Sequence, residues 1–324
     1  MSPEPQKIRT ITVPTAELYE ALQPLPAGIS AAVWDFDGDP DGIEYADIDA
    51  VVAPYTGGKA WQESLVRVPN LKLLQAQTTG YDGLPELVGE STAVASAAGV
   101  HAAATAELAL GLILASLRGI DAAVRDQLRA NWNPQRYPGL ADRRVLLVGV
   151  GGIGREIAAR LEPFEVELTR VGSTARDDDA GHVHGVVELP VLAAEAEVLV
   201  VITPLNEKTR HLIDAKVLAA LPGGALVVNV ARGPVVDTAA LTKEVTSGRL
   251  RAALDVVDPE PLPADHPLWN CTNAIITPHN GGNSGAFTPR IQGFLRRQVQ
   301  RLADGREPVN LVQAGPWKQS RDAD

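Results

Sequence analysis

Three side chains whose combination could bind an anion and transfer a proton follow three apolar segments in the second half of the chain. They are Arg232 after Leu226–Val230, Glu260 after Ala252–Val256, and His279 after Ala274–Thr277. A guanidinium is a planar fork that fits a carboxylate, and an imidazole exchanges protons near neutral pH. Ends of adjacent parallel strands lie about 4.8 Å apart at one edge of a sheet. We therefore expect these three residues to form one site, although singly each has an ordinary structural explanation.

A glycine-rich segment lies upstream of these residues. The apolar run Val145–Val148 leads into Gly149-x-Gly151-x-x-Gly154, and the helix-forming segment Gly152–Leu161 follows. Glycines at these places allow a tight turn, close approach of a pyrophosphate and close helix packing, while the helix N-terminus attracts negative charge. The pattern predicts a dinucleotide site that includes Gly152 and Ile153; a structural turn or another nucleoside ligand is the alternative.

The residues after the next predicted strand, Val166–Val171, bear on which dinucleotide binds. An acidic residue usually stands there to hold the ribose 2′-hydroxyl, but this chain has Gly172. Ser173, Thr174 and Arg176 follow and can donate hydrogen bonds to a 2′-phosphate. We therefore predict NADP as the preferred cofactor, with NAD possible, and we interpret Asp177–Asp179 as a solvated turn that weakens the preference.

The elements that must position these residues alternate between strands and helices, which predicts an α/β fold with parallel sheets. Ala102–Arg118 predicts a helix with more apolar surface than one face can bury, and Ile291 to Leu302 carry the spacing of an amphipathic helix. The predicted strands are Ile8–Val13, Ala31–Phe36, Ala50–Ala53, Leu71–Ala76, Thr92–Ser96, Val145–Val148, Val166–Val171, Val198–Ile202, Leu226–Val230, Ala252–Val256 and Ala274–Thr277.

Composition limits the class of protein. A chain of 324 residues favours two domains, and its formal net charge of −11 argues against nucleic-acid or anionic-membrane partners. The single cysteine, Cys271, fits a reducing cytoplasm. Met1–Pro5 lacks the pattern of a signal peptide, and no apolar run is long enough to cross a bilayer. His182-Val-His184 suggests no metal site, because a flexible acidic turn explains it better.

Taken together, these motifs resemble the D-isomer-specific 2-hydroxyacid dehydrogenases, of the glyoxylate/hydroxypyruvate reductase type. The matching segments run in the family's order over about two-thirds of the chain and are 99–107, 149–154, 203–212, 229–237, 254–262, 267–269 and 277–282. Formate dehydrogenases are similar but pair their histidine with glutamine, whereas this chain has Glu260.

The resemblance implies two Rossmann-like domains. A flavodoxin-like substrate domain would comprise residues 1–97 plus 287–324, and residues 98–286 would bind the dinucleotide. It implies that Arg232 binds the substrate carboxylate and keto oxygen, that His279 is the acid/base and that Glu260 supports it. Thr79 and Gly80 match the loop whose amides bind the substrate carboxylate.

The resemblance also implies further cofactor contacts and a homodimer that pairs near Ala102–Arg118. The implied cofactor residues are Thr203, Pro204, Thr209, Val230, Ala231, Asp255, His279 and Gly281, with Asp255 near the nicotinamide amide. The expected reaction is reduction of a 2-keto acid to a D-2-hydroxy acid, in a substrate pocket near Tyr55–Lys59 and Thr78–Tyr81. A non-catalytic NAD(P)-sensing scaffold of the same fold is the alternative.

Overall fold

The computed structural model of the protein describes residues 7–55 and 60–317. The N-terminal Met1–Pro5 segment and residues 56–59 of the expected substrate loop lie outside the described residues. The strands are β1 Thr10–Val13, β2 Ser30–Val33, β3 Ala50–Val52, β4 Leu73–Gln75, β5 Ala93–Ala95, β6 Arg144–Val148, β7 Glu167–Gly172, β8 Arg176–Asp178, β9 Gly181–Gly185, β10 Val198–Val201, β11 Leu226–Asn229, β12 Arg251–Leu254, β13 Ala274–Ile276 and β14 Leu311–Gln313.

The helices alternate with these strands through most of the described chain. They are α1 Ala16–Ala21, α2 Ala60–Ser64, α3 Leu84–Val88, α4 Ala102–Leu117, α5 Ile120–Gln127, α6 Gly152–Leu161, α7 Leu189–Ala193, α8 Ala215–Ala220, α9 Thr238–Thr246 and α10 Phe287–Ala303. Short 3₁₀ helices occupy Tyr45–Asp47, Leu65–Arg67, Glu162–Phe164, Val186–Glu188, Gly233–Val235, Pro267–Asn270 and Gly315–Trp317.

Every strand predicted from the apolar runs is present, with ends moved by up to three residues. Two strands correct the sequence interpretation. Asp177–Asp179 is not simply a turn, because β8 includes Arg176–Asp178, and His182 and His184 lie on β9 rather than in a flexible turn. The two strands form an antiparallel hairpin attached to β7 by parallel pairing. Backbone pairing stabilises this charged hairpin, so an apolar run does not mark it; Val183 is its buried apolar side chain.

The chain divides into two compact units. Unit 1 comprises Met1–Val100 and Gly285–Asp324, and unit 2 comprises His101–Ser284. These boundaries lie three and two residues from those expected from the sequence, 97/98 and 286/287.

Unit 1 contains a sheet in the order β14-β5-β4-β3-β1-β2. All neighbours are parallel except β14, which runs antiparallel to β5. The order reverses at β1, as in the flavodoxin-like topology. Helix α10 packs on this sheet, and the apolar positions predicted to face the core are all buried: Ile291, Phe294, Leu295, Val299 and Leu302.

Unit 2 contains a sheet in the order β13-β12-β11-β10-β6-β7-β9-β8. Strands β6 and β10 are adjacent and parallel, and the order reverses between them. This is the doubly wound dinucleotide-binding arrangement, whose ligands bind outside the carboxyl ends of the strands at the reversal. Apolar clusters cover both faces of the sheet, which explains the continuous apolar runs of β6, β10 and β11.

Helix α4 is covered within unit 2 to a greater extent than we expected from its sequence. Ala106, Ala109, Leu112, Ile113 and Leu117 pack in the core cluster that includes residues of α6, β6 and β10. Because the protomer itself buries most of this helix, its apolar surface does not by itself require a partner subunit.

Neither a membrane-spanning helix nor a metal-binding group is evident in the described residues. No single helix there is long and apolar enough to cross a membrane; α4 and α5 reach that length and composition only as a pair bent by 67°. In the same residues, no group of three or more His, Cys, Asp or Glu side chains is arranged to hold a metal ion.

Candidate active site

The glycine loop joins β6 to α6 at the point where the strand order reverses. Gly149 has φ +116°, and a Cβ there would lie 2.3 Å from the Ile202 carbonyl oxygen. A Cβ on Gly154 would lie 2.0 Å from the Gly149 carbonyl oxygen. By contrast, a Cβ on Gly151 or Gly152 would meet no atom within 4 Å. Two glycines therefore allow close backbone packing, and the other two border open space at the N-terminus of α6, where a diphosphate fits.

The loop after β10 lies on the other side of the reversal. The Thr203 hydroxyl is buried and has no hydrogen-bond partner among the described residues. The Thr209 hydroxyl donates to the Pro204 carbonyl oxygen at 2.6 Å and accepts from the Asn206 amide at 2.8 Å, so it shapes the loop. A buried hydroxyl without a partner is costly unless a ligand satisfies it. The residues around the reversal therefore fit a nicotinamide dinucleotide.

Arg232 follows β11 through Val230 and Ala231. The side chain of Asn229 fixes this turn: Oδ1 accepts from the Ala231 amide at 3.1 Å, and Nδ2 donates to the Arg232 carbonyl oxygen at 3.1 Å. We did not identify Asn229 from the sequence. The feature that could have identified it is a polar side chain inside an apolar strand: Asn229 is buried, and buried polar groups are normally hydrogen-bonded.

The next residue brings the Arg232 turn against the loop after β12. A Cβ on Gly233 would lie 1.9 Å from the Val257 carbonyl oxygen, so only glycine permits this approach. The Val257 amide donates to Glu260 Oε1 at 3.1 Å, and Glu260 Oε2 lies 2.9 Å from His279 Nδ1. The carboxylate is thus held on one oxygen and meets the imidazole with the other.

Charge and hydrogen bonding shift both of these pKa values. The hydrogen bond with Glu260 raises the pKa of His279 above its ordinary value, against an opposing effect of burial. Burial tends to raise the pKa of Glu260, but the hydrogen bond and charge of His279 outweigh it, and the pKa is lowered. The positive charge of Arg232 acts on both groups. The arrangement favours the imidazolium form of His279. Its Nδ1–H faces Glu260, and its Nε2–H is left for proton transfer.

Asp255 holds the backbone segment that presents the imidazole. Its side chain is buried and accepts hydrogen bonds from the Thr277 hydroxyl at 2.6 Å and from the amides of Asn280 and Gly281 at 2.8 Å each. His279 itself has φ +53°, which is unfavourable for a residue with a β-carbon. These contacts to Asp255 explain how the unfavourable backbone conformation is maintained.

The β8–β9 hairpin places Arg176 beside the glycine loop. Arg176 Nη1 donates to the Thr174 carbonyl oxygen at 3.2 Å, and a Cβ on Gly172 would lie 2.9 Å from the same nitrogen. That hypothetical Cβ would also lie 3.2 Å from Val150, within the glycine loop. Ser173, Thr174 and Arg176 are exposed, so their donors are accessible to a ligand at this edge.

The expected carboxylate-binding loop belongs to unit 1 and follows β4. The Thr78 hydroxyl donates to the Gly80 carbonyl oxygen at 2.6 Å, which closes a tight turn. The Thr79 hydroxyl inside this turn is buried and has no partner among the described residues. Such an atom can satisfy its hydrogen bond with a ligand.

A cavity of about 290 Å³ lies at the same edge of unit 1. Its lining includes residues that follow β1, β2, β3 and β4, among them Thr15, Asp35, Tyr55 and Gln77. The Tyr55 ring stacks on Phe287, with ring centroids 4.0 Å apart. The cavity therefore occupies the position where the strand order of this sheet reverses.

Comparisons with known proteins agree on one family. Residues 110–281 match the family model described as D-isomer specific 2-hydroxyacid dehydrogenase, NAD binding domain. A glyoxylate reductase from Thermofilum pendens is 33% identical over 82% of this chain and 81% of its own length. A D-isomer specific 2-hydroxyacid dehydrogenase from Xanthobacter autotrophicus Py2, solved with NADPH, is 28% identical, with a TM-score of 0.79 over 94% of this chain and 98% of that one. An NADPH-dependent glyoxylate/hydroxypyruvate reductase from Sinorhizobium meliloti, solved with NADP and malonate, is 25% identical, with a TM-score of 0.77 over 96% and 98%.

Proposed function

Because this chain belongs to the D-isomer specific 2-hydroxyacid dehydrogenase family and is an NAD(P)-dependent enzyme, we propose that it reduces a small 2-keto acid to a D-2-hydroxy acid. The observation that carries the proposal is the 2.9 Å contact of His279 Nδ1 with Glu260, at the sheet edge that also carries the glycine loop. Glyoxylate and hydroxypyruvate are the first substrates to test, since similar proteins are named for them.

The proposed mechanism assigns a separate role to each residue. The bound nicotinamide would supply the hydride that reduces the carbonyl carbon. Arg232 binds the substrate carboxylate as a fork and polarises the keto oxygen. In unit 1, the amides at Thr79 and Gly80 are assigned to carboxylate binding. His279 Nε2 gives its proton to the keto oxygen as the carbon–oxygen double bond becomes single, which leaves a neutral imidazole and a hydroxy acid.

Loss of the Glu260 carboxylate should change the pH dependence of reduction. Reduction needs the imidazolium, whose population falls as the pH rises through the pKa of His279. Since Glu260 raises that pKa, Glu260→Gln should move the alkaline fall of kcat to lower pH. The measurement is kcat against pH with saturating cofactor, and Glu195→Gln, at an exposed site, serves as the matched control. An unmoved profile in Glu260→Gln would remove Glu260 from the mechanism.

We assign NADP as the preferred cofactor, with NAD as a weaker one. The support is the position of Arg176 over Gly172, beside the glycine loop, and the absence of an acidic side chain at residue 172. Two of the three neighbouring aspartates already have partners, because Asp177 contacts His182 and Asp178 binds Arg170. Their charges therefore oppose a 2′-phosphate less than the sequence alone suggests.

Arg176→Ala should raise KM for NADPH several-fold and leave KM for NADH nearly unchanged. A charge-assisted hydrogen bond contributes about 1.5–3 kcal/mol, which corresponds to roughly ten- to a hundredfold in affinity, and the nearby carboxylates reduce that gain. The measurement is kcat/KM for both cofactors in the wild type and the variant, with exposed Arg118→Ala as the control. A wild-type enzyme that favours NADH would contradict the assignment.

We further propose a homodimer, on a surface other than the buried faces of α4. Ile120, Val124 and Leu128 repeat every four residues along α5 and its C-cap, and Trp132 follows in the chain beyond the helix. These residues are 51%, 53%, 85% and 95% exposed. We call these four residues the apolar stripe. Exposed apolar surface of this kind marks an interaction surface, and a twofold axis would pair the stripe of one protomer with the stripe of a second.

The wild type should sediment as a dimer at micromolar concentration, and Leu128→Asp combined with Trp132→Asp should sediment as a monomer. Two carboxylates in the stripe would have to be desolvated on pairing, which disfavours association. The matched control is Val66→Asp, since Val66 is 87% exposed but lies in unit 1. Sedimentation of the wild type as a monomer would overturn the proposal.

We assign the enzyme to a reducing compartment, the cytoplasm. The support is that Cys271 is the one cysteine in the sequence and is a free thiol. A chain with this cysteine content gains nothing from an oxidising environment.

A further inference from the structure

We propose that Arg170 is a positioning residue for cofactor selectivity: by binding Asp178, it holds the β8–β9 hairpin so that Arg176 faces the cofactor's 2′-phosphate. This inference rests on the proposed preference for NADP and concerns a residue that does not itself lie at the exposed edge.

Arg170 lies on β7 and is one of the few charged side chains buried in unit 2. Its side chain is 9% exposed. Nη1 donates to Asp178 Oδ2 at 3.0 Å and Nη2 donates to Asp178 Oδ1 at 2.8 Å, which makes a two-pronged ion pair. Nη2 also lies 3.3 Å from the His182 carbonyl oxygen. One guanidinium on β7 therefore contacts both strands of the hairpin, Asp178 on β8 and His182 on β9.

The hairpin depends on such contacts because its own core is small. The strand pairing joins Arg176 with Val183, Asp177 with His182 and Asp178 with Gly181. All three residues of β8 are exposed, so apolar burial does not fix the strand. β8 pairs with β9 and not with β7, so the Arg170–Asp178 pair supplies a direct side-chain link from β8 to the body of the sheet. Arg176 is two residues from Asp178 on the same short strand. A shift of β8 after loss of the Arg170–Asp178 pair would therefore move the Arg176 guanidinium.

The ion pair has an electrostatic consequence as well. Asp178 would repel a phosphate bound near Arg176, and Arg170 compensates that charge through its hydrogen bonds, which hold the pKa of Asp178 below its usual value. Asp177 Oδ1 also has a partner, His182 Nδ1, at 2.8 Å. Arg176, in contrast, contacts the neutral carbonyl of Thr174, so its positive charge remains available to a phosphate.

The test compares nucleotides that differ only in the 2′-phosphate. Binding of 2′,5′-ADP and of 5′-AMP is measured by calorimetry, together with kcat/KM for NADPH and NADH. In Arg170→Met, the affinity for 2′,5′-ADP should fall about tenfold. The ratio of kcat/KM for NADPH to kcat/KM for NADH should also fall about tenfold, because KM for NADPH rises. The affinity for 5′-AMP and kcat with NADH should stay within about twofold of the wild-type values. Arg170→Lys keeps the charge but loses the second prong, and its ratio should fall by a smaller factor.

The matched control is Arg143→Met. Arg143 forms a comparable partly buried ion pair with Glu197 in the same unit, but at the amino-terminal edge of the sheet, and its loss should leave the ratio unchanged. Equal losses for NADPH and NADH in Arg170→Met, or an unchanged ratio, would overturn the inference. Where Arg170→Met does not fold, an unchanged ratio in Arg170→Lys overturns it. A wild type that binds 5′-AMP as tightly as 2′,5′-ADP would instead refute the underlying preference for NADP.

Discussion

Replacement of His279 should lower kcat for 2-keto acid reduction by about a hundredfold to ten-thousandfold, the usual contribution of a general acid. The proton donor is lost, whereas the glycine loop and the Thr203 loop, which we assign to cofactor binding, are untouched. We therefore expect the dissociation constant for NADPH to stay near the wild-type value. The measurement pairs steady-state kinetics with NADPH binding followed by nucleotide fluorescence.

Two replacements are needed because His279 has a left-handed backbone conformation. Alanine is strained at φ +53°, whereas asparagine tolerates this region and keeps the loop in place without an imidazole. Both variants should lose activity to a similar degree. A His279→Asn enzyme that turns over at a near-normal rate would show that the imidazole does not supply the proton.

Arg232→Lys should raise KM for the 2-keto acid by about ten- to a hundredfold and also lower kcat. An ammonium is a point donor and cannot make the two parallel contacts of a guanidinium, so one charge-assisted hydrogen bond worth about 1.5–3 kcal/mol is lost. NADPH binding should change little. The comparison is made by steady-state kinetics with saturating NADPH and varied keto acid.

Arg297→Lys is the control for this change, since Arg297 is exposed on α10 and far in sequence from the strand ends of unit 2. Its kinetic constants should match the wild type. If Arg232→Lys affects KM for NADPH more than KM for the keto acid, the guanidinium serves the cofactor and the substrate assignment is wrong.

Much of this architecture follows from local patterns in the sequence. The apolar runs indicate the strands of both sheets because a strand covered on both faces must be apolar throughout, as β6, β10 and β11 are. The glycine spacing indicates the turn into α6 because Gly149 and Gly154 contact backbone atoms directly. Glu260 and His279 are separated by 19 residues, yet parallel strand order brings them together.

Other features depend on contacts that no local pattern reveals. The β8–β9 hairpin is charged and exposed, so it lacks an apolar signature; β9 pairs with β7, whereas the side-chain link from β8 to β7 is the Arg170–Asp178 ion pair. The sequence does not predict the role of Asp255 either, because an acidic residue after a strand is equally compatible with a ligand contact and with the loop hydrogen bonds that it makes. The apolar helix α4 shows a related limit: an apolar composition alone does not distinguish a subunit interface from the core of the helix's own unit, in which most of α4 is buried.

The most direct test of the proposed reaction is the configuration of the product formed from hydroxypyruvate. Glyoxylate yields glycolate, which has no stereocentre, so hydroxypyruvate is the informative substrate. The wild-type protein is incubated with NADPH and hydroxypyruvate, NADPH consumption is followed, and the glycerate is resolved on a chiral column. We predict that NADPH is consumed and that the glycerate is the D isomer; formation of L-glycerate, or no consumption of NADPH or NADH with this and other 2-keto acids, would contradict the account.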